Sequence, residues 1–283
     1  MLNLMASGGT GVPLAAEPLF NVGPLTVTNS MLFGVIIAIG VLALFILALR
    51  KSTVRPKNKF AFGVETVVEF LINTITQNFG GDRKKTLKYA PLFLTLFTFI
   101  IISNLSGLLP GVGTLNISNG EEVTPLLRPF TTDLNGTLAL AVLTIGLVQF
   151  YAIREMGIIK HIRHYFNGNL LNPMTIFIGL IEVLGEFIRV ITLSMRLFGV
   201  IYAGEVLLHV VSDLAGDFGW AATIPVYFME LFFSAVQAYI FIMLASTYLG
   251  MATASHGHDE SHLDNHSPKP KQPVAVPLGN DSK

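Results

Sequence analysis

The sequence predicts an all-α, polytopic membrane protein: about five spans, an interfacial helix, and a strongly tilted hairpin formed by the last two long helices. Three observations carry this reading. Of 283 residues, 52% are apolar and only 13% are charged, about half the roughly 25% charge of soluble domains. Several apolar runs reach the roughly 20 residues needed to cross hydrocarbon. Lys and Arg are segregated between alternate connections instead of being spread evenly. The 18 basic and 18 acidic residues balance, so no global positive field marks a nucleic-acid partner. The lack of cysteine excludes disulfides, thiolate metal sites and cysteine nucleophiles.

The elements follow in chain order. Residues 1–30 are punctuated by Gly and Pro and contain no Lys or Arg. They lack the basic start of a secretory signal and are read as an external amino-terminal segment. Thr28, Asn29 and Ser30 offer N-caps for the uncharged span Met31–Leu49. In Lys57–Phe79 the residues Phe60, Val64, Val67, Val68, Leu71 and Ile75 recur at helical spacing, while Glu65 and Glu69 interrupt the apolar character. That pattern fits a helix lying on the membrane surface, and equally one docked against the rest of the protein.

Tyr89–Leu109 is the second span, with Pro91 in its first turn and Pro110-Gly111 as its stop. Asp133 is the N-cap of the third, Leu134–Ile153. Two long apolar helices follow, from Pro173 to about Val211 and over Ala221–Gly250. At 1.5 Å per residue they are roughly 57 and 45 Å long, against about 30 Å of hydrocarbon. Neither stands upright unless it breaks, and tilt costs only fractions of a kcal/mol per Å of mismatch. A tilted hairpin is therefore expected.

Basic residues set the orientation. Nine fall between Arg50 and Lys88, and Arg154, Lys160 and Arg163 follow the third span. The Val112–Thr132 connection has only Arg128, and Ser212–Trp220 has none. The bias puts the amino terminus outside and the carboxyl terminus in the cytoplasm. The chain then divides into the external segment 1–30, a membrane domain over 31–250, and a tail over 251–283. The tail is rich in Pro, His and charge, without apolar periodicity, and is expected to be disordered. Its His256, His258, His262 and His266 are candidate metal ligands, although a solvated tail explains them as well.

Glu182, Glu186, Arg189, Arg196, Glu205, His209 and Glu230 fall inside the two long helices. Charge at membrane depth costs several kcal/mol and normally faces a partner, a cavity or an ion route. Glu186 and Arg189, three apart, are placed to pair. Arg196 is the sharpest case, because its nearest acids lie nine and ten residues away. Arg stays protonated under any accessible condition, so burial cannot neutralise it. Glu205 falls about 180° around the helix from Arg196 and suits a separate aqueous pocket near the outer side. Glu230 and Gln237, seven apart, share a face of the last helix. A buried Glu at an aqueous entrance can take up and release protons; a rim carboxylate facing water is the plainer reading. Gln237 could simply hydrogen-bond between helices.

Ser194-Met195-Arg196-Leu197-Phe198-Gly199, followed by Tyr202-Ala203-Gly204-Glu205, resembles subunit a of the rotary F-type ATP synthases. Leu105-Ser106-Gly107-Leu108-Leu109-Pro110, Thr132-Asp133-Leu134-Asn135 and Gln237-Ala238-Tyr239-Ile240-Phe241 are similar to further signatures of that family. The resemblance covers about Phe60 to Met251. It implies a non-catalytic, proton-translocating stator subunit of a bacterial inner (plasma) membrane, with no cofactor. The implied partners are a ring of c subunits, peripheral-stalk b subunits, other ATP synthase subunits and the lipid bilayer.

Carried over by position, Arg196 is the stator arginine facing the ring carboxylates. Glu205 and Glu230 form the polar pair of the external access route. Glu182 is an acid on the cytoplasmic side, and Gln237 neighbours the arginine. Three positions depart from the family pattern: Glu230 where many bacterial members have His, Val200 in place of Asn, and Ile188-Arg189-Val190 where a Lys-Pro pair is common. ATP chemistry is expected elsewhere, since no GxxxxGK[ST] loop occurs. The rival classes are a self-contained transporter or channel, for which no internal repeat is found, and a structural scaffold, which leaves Arg196 without a role.

Overall fold

The computed structural model describes residues 16, 18–22, 25–51, 59–109, 116–119, 122–125, 128–157 and 173–254. Among the described residues there are six α-helices: α1 (Asn29–Lys51), α2 (Lys59–Asn78), α3 (Arg83–Gly107), α4 (Leu134–Met156), α5 (Pro173–Ala215) and α6 (Gly219–Ala254). Two small antiparallel hairpins were not anticipated. One pairs β1 (Pro18–Val22) with β2 (Leu25–Thr28), and the other pairs β3 (Asn116–Asn119) with β4 (Glu122–Pro125). The four tail histidines lie outside the described residues, as does most of the expected tail. The last helix continues four residues past Gly250, into the start of that tail.

The caps of α1 and α4 fall where the sequence places them, whereas α3 starts at Arg83, six residues before the expected Tyr89, so that Pro91 lies inside the helix and not in its first turn. Thr28 Oγ1 accepts from the Met31 amide at 3.3 Å, opening α1. Asp82 caps α3 by accepting from the amides of Lys84 and Lys85. Asp133 caps α4, accepting from the Asn135 amide at 3.1 Å. Its other carboxylate oxygen accepts from Ser30 Oγ at 2.6 Å, which ties the first turns of α1 and α4 together. By length and composition, Asn29–Leu47, Arg83–Gly107 and Leu134–Glu155 are each able to cross a membrane.

α5 and α6 run unbroken for 43 and 36 residues, longer than the sequence suggests. The expected Ser212–Trp220 loop contracts to the 3₁₀ turn Gly216–Phe218, because helical hydrogen bonding extends from both sides. At the reversal only Gly216 carries a positive φ (52°). At about 1.5 Å per residue the two helices span roughly 65 and 54 Å. Two unbroken rods of that length fit a bilayer only when inclined.

The core is shared among α3, α4, α5 and α6. Leu96 and Ile100 of α3 meet Leu140, Ala141 and Ile145 of α4, Leu193 and Leu197 of α5, and Ala238 and Phe241 of α6. A second cluster joins Ile75 and Phe79 of α2 to Tyr89, Phe93, Val148, Ile242, Ala245 and Leu249. Among helices in lipid, close packing and interhelical hydrogen bonds hold such contacts, since burial from water no longer drives them.

Both sequence readings of α2 find support in different halves of the helix. Its carboxyl-terminal half docks: Leu71 and Ile75 are buried, Phe70 stacks on Tyr239 at 5.7 Å between ring centroids, and Asn78 Nδ2 donates to Ser246 Oγ at 2.7 Å. Its first half keeps Phe62, Val64 and Val67 exposed, as a surface-lying helix would. The docking requires glycine at position 250, where a Cβ would overlap the carbonyl oxygen of Asn78. Gly250→Val should force α2 off α6 at a cost of about 1–3 kcal/mol, read as a lowered melting temperature in detergent micelles. An unchanged melting temperature would contradict the close approach.

Candidate functional site

The site is assembled along the α5–α6 hairpin. Arg196 lies near the middle of the 43-residue α5. One face of that turn is locked into the bundle, with Leu193, Ser194 and Leu197 buried and Ser194 Oγ within 3.2 Å of Thr137 Oγ1. Arg196 points the other way and is exposed. Among the described residues it makes no hydrogen bond and no ion pair.

The stripe within about 60° of Arg196 changes character along α5. Toward the amino-terminal end it carries Thr192, Arg189 and Glu182 among the exposed Ile178 and Ile181. Toward the carboxyl-terminal end it holds only small or apolar side chains, from Gly199 and Ala203 to the exposed Leu207 and Leu214. A Cβ at Gly185 or Gly199 would meet nothing within 4 Å. The guanidinium therefore stands at the border between this charged half and an open, narrow-sided apolar one.

The other charged pair of α5 behaves as expected. Arg189 Nη1 donates to Glu186 Oε1 at 2.5 Å, and its guanidinium lies 4.9 Å from the centroid of Tyr248. Glu182 is half-buried one turn earlier. Arg189 is thus engaged twice, and Arg196 is left as the cation available to an outside group.

Toward the α5–α6 turn, Glu205 and Glu230 converge. A Cβ on Gly204 would fall 2.9 Å from Glu230 Oε1, so the missing side chain is what admits the carboxylate against α5. Glu230 is only 6% exposed and Glu205 is half-buried, and Oε2 of each lacks a hydrogen-bond partner among the described residues. A hollow of about 240 Å³ opens beside Glu230 and is lined in part by Val200, Ala203 and Leu207. Its wall is almost wholly apolar.

A residue that sequence reasoning used only for topology also belongs to this region. Arg128 is 3% exposed; its Nε donates to Thr132 Oγ1 and its Nη2 to the Thr132 carbonyl, each at 3.3 Å. Arg128 and His209 are the cations whose fields reach Glu205. The signal in the sequence was that Arg128 is the one basic residue of its long connection.

Below Glu230 the trail of polar atoms continues. Glu230, Ser234 and Gln237 share one face of α6 at i, i+4 and i+7, and Asn104 Nδ2 of α3 donates to the Ser234 carbonyl at 3.3 Å. Ser103 Oγ, Asn104 Oδ1, Ser234 Oγ and Gln237 Nε2 are buried and unpartnered among the described residues. Buried polar atoms are almost always satisfied, commonly by ordered water. Gln237 is 3% exposed. It adjoins Ala238, which packs with Leu193 and Leu197 in one cluster, so Gln237 and Arg196 lie at one level of the hairpin. Ser103, Asn104 and Ser234 were missed because isolated Ser and Asn in apolar helices carry no charge to flag them.

Comparison with known proteins decides the family. Residues 31–250 match the family described as ATP synthase A chain. The chain belongs to that family. It is 34% identical over 229 residues to ATP synthase subunit a of Listeria monocytogenes serovar 1/2a, covering 78% of this chain and 88% of that relative. It is 31% identical over 241 residues to ATP synthase subunit a of Moorella thermoacetica, covering 85% and 96%. Against ATP synthase subunit a of Anaeromyxobacter dehalogenans strain 2CP-1 the identity is 32% over 227 residues, covering 77% of this chain and 55% of the relative. The chain thus spans about half the length of the Anaeromyxobacter relatives that it matches.

Family membership puts the departures from its pattern in a structural setting. Val200 lines the hollow beside Glu230, so the missing amide is one less polar group there. Arg189, in the Ile188-Arg189-Val190 string, is occupied by Glu186 and Tyr248. The hydrogen bonds of buried Arg128 are charge-assisted, worth about 1.5–3 kcal/mol each. Arg128→Met should lower the melting temperature in detergent accordingly; a variant as stable as the parent would show that Arg128 does not hold the outer connection.

Proposed function

We propose that the chain is the stator subunit that conducts protons between the two sides of a bacterial inner membrane and couples their flow to rotation of a c-subunit ring. The observation that carries this reading is Arg196, an exposed permanent cation without a partner among the described residues, at the start of an apolar stretch of the helix face. Facing lipid, such a group costs several kcal/mol. Facing a succession of ring carboxylates, it is compensated. Gly185, Gly199 and Ala203 let another helix approach closely on the same face.

A proton cannot cross hydrocarbon as an ion, whereas a neutral carboxylic acid can face lipid. Each ring carboxylate takes a proton from an outer route, turns through lipid, and releases it to an inner route. Arg196 favours the ionised carboxylate at the interface and repels a proton attempting to pass straight between the routes. Both effects turn leak into rotation. The available work is about 2.3 kcal/mol per charge per 100 mV.

The outer route runs from Arg128 and Glu205 to Glu230 and on past Ser234, Asn104 and Ser103 toward Gln237. Unpartnered polar atoms along it support a file of water. Glu182 serves the inner route, on the side where basic residues place the cytoplasm. The amino terminus is then outside and the carboxyl terminus inside, with 31–250 as the membrane domain. The subunit performs no ATP chemistry itself, and peripheral-stalk b subunits and other synthase subunits complete the assembly.

Arg196→Ala should abolish proton-driven ATP synthesis in sealed vesicles while the protein still inserts; normal synthesis would refute the assignment. Glu230→Gln and Glu205→Gln should each slow proton uptake, by roughly 10²-fold if a positioned proton carrier is lost, without loss of ring association. Unchanged flux over a wide pH range in both variants would remove the pair from the route.

A further inference from the structure

A second concavity, of about 940 Å³, opens where the first turns of α3 meet the last turns of α4 and α6. Lys84, Lys85, Lys88 and Arg154 line it, with Asp82 and Glu155 as its acids, so four cations against two carboxylates leave a charge of +2. The acids are already committed. Asp82 accepts from two helix amides. Glu155 accepts from Lys88 Nζ at 2.9 Å, pairs with Lys85 Nζ at 3.6 Å, and takes a short hydrogen bond from the Tyr89 hydroxyl. Lys85 Nζ also reaches the Thr253 carbonyl at 3.4 Å. Lys84 and Arg154 have no side-chain partner among the described residues and lie on either side of this occupied centre.

α3 and α4 are each long and apolar enough to cross a membrane, and the concavity lies at one end of both. Tyr89 and Tyr151, in edge-to-face contact at 5.2 Å, stand in its wall. Tyrosine belongs at the head-group level of a bilayer. Beside Tyr151, and in edge-to-face contact with it at 5.7 Å, Phe150 is exposed on the surface of α4. Two unengaged cations, an interfacial aromatic wall and an adjoining exposed apolar ring match one amphipathic anion. We propose that this cleft binds the phosphate head group of an anionic phospholipid in the leaflet reached by these helix ends, with an acyl chain lying along Phe150.

Arg154 supplies a planar fork suited to two phosphate oxygens, and Lys84 a mobile point charge. Basic pockets between spans are a recurrent way of holding such head groups. A free phosphate would match the cations but leave the apolar flank without purpose. The lipid would bridge α3 and α4 at the end where Glu155 already joins them, and so brace the bundle that supports α6. This assignment is independent of the route assigned to Arg196.

The test is lipid retention by the intact chain, eluted from mixed micelles of phosphatidylcholine and phosphatidylglycerol and weighed by native mass spectrometry. The parent should retain phosphatidylglycerol in preference to phosphatidylcholine. The Lys84→Gln/Arg154→Gln variant should retain it about 30-fold more weakly, as expected for two lost cations near a membrane surface. Arg50→Gln/Lys51→Gln, which removes two cations elsewhere, should retain it like the parent. Equal retention of both lipids by the parent would overturn the proposal without needing any variant. Equal losses in the two double variants would reduce it to diffuse surface charge, and displacement by inorganic phosphate alone would make the cleft a free-anion site; either result refutes it.

Discussion

The structure turns on one electrostatic constraint: a guanidinium that cannot shed its proton is held midway along an apolar helix and turned away from its own bundle. Arg189 shows the ordinary solution to such a charge, a carboxylate one turn away and an aromatic ring beneath it. Arg196 has neither. Its own helix forbids a local pairing, because Leu193, Ser194 and Leu197 fix that turn against α3, α4 and α6. The cation is thereby presented to whatever lies against the hairpin. A partner bearing carboxylates meets the constraint, and lipid alone does not.

The rest of the fold serves that presentation. Because α5 runs unbroken for 43 residues, it can offer one continuous stripe to a neighbour instead of a short segment. The bundle behind it is stiffened from two directions: α1 is tied to the α4 cap through Ser30 and Asp133, and α2 is wedged onto α6 beside Gly250. On the outer side, glycine at 204 brings Glu230 against α5 near Glu205. Unpartnered atoms of Ser103, Asn104, Ser234 and Gln237 then extend the polar line inward between α3 and α6. A membrane interior leaves such atoms few partners except water.

Much of this was legible in the residues themselves, because membrane helices obey strong rules. Uncharged runs marked α1, α3 and α4, and Asp133 announced its cap before any coordinate was known. The excess length of the last two helices already demanded inclination. Arg196 was conspicuous for the absence of a nearby acid, which depends only on spacing. What escaped was long-range or neutral. The strands of the β1–β2 and β3–β4 hairpins are only four or five residues long, and β3 and β4 carry one aliphatic residue each. Arg128 is separated from Glu205 by 77 positions, and no local pattern reports that meeting. Ser103, Asn104 and Ser234 are ordinary in isolation and become informative only when three helices bury them without partners. The helical continuation through 212–215 reflects packing of the reversal, which propensity alone does not decide.

The most direct test is chemical proximity at the arginine's own face. The chain has no cysteine, so Gly199→Cys supplies a single thiol beside Arg196, and Leu197→Cys a single thiol buried on the opposite side of that turn. In the assembled synthase, with a second cysteine placed next to the ring carboxylate, oxidation should link position 199 to the ring and leave position 197 unlinked. A link from 197 and none from 199, or no link from either in an intact assembly, would mean that Arg196 does not face the ring.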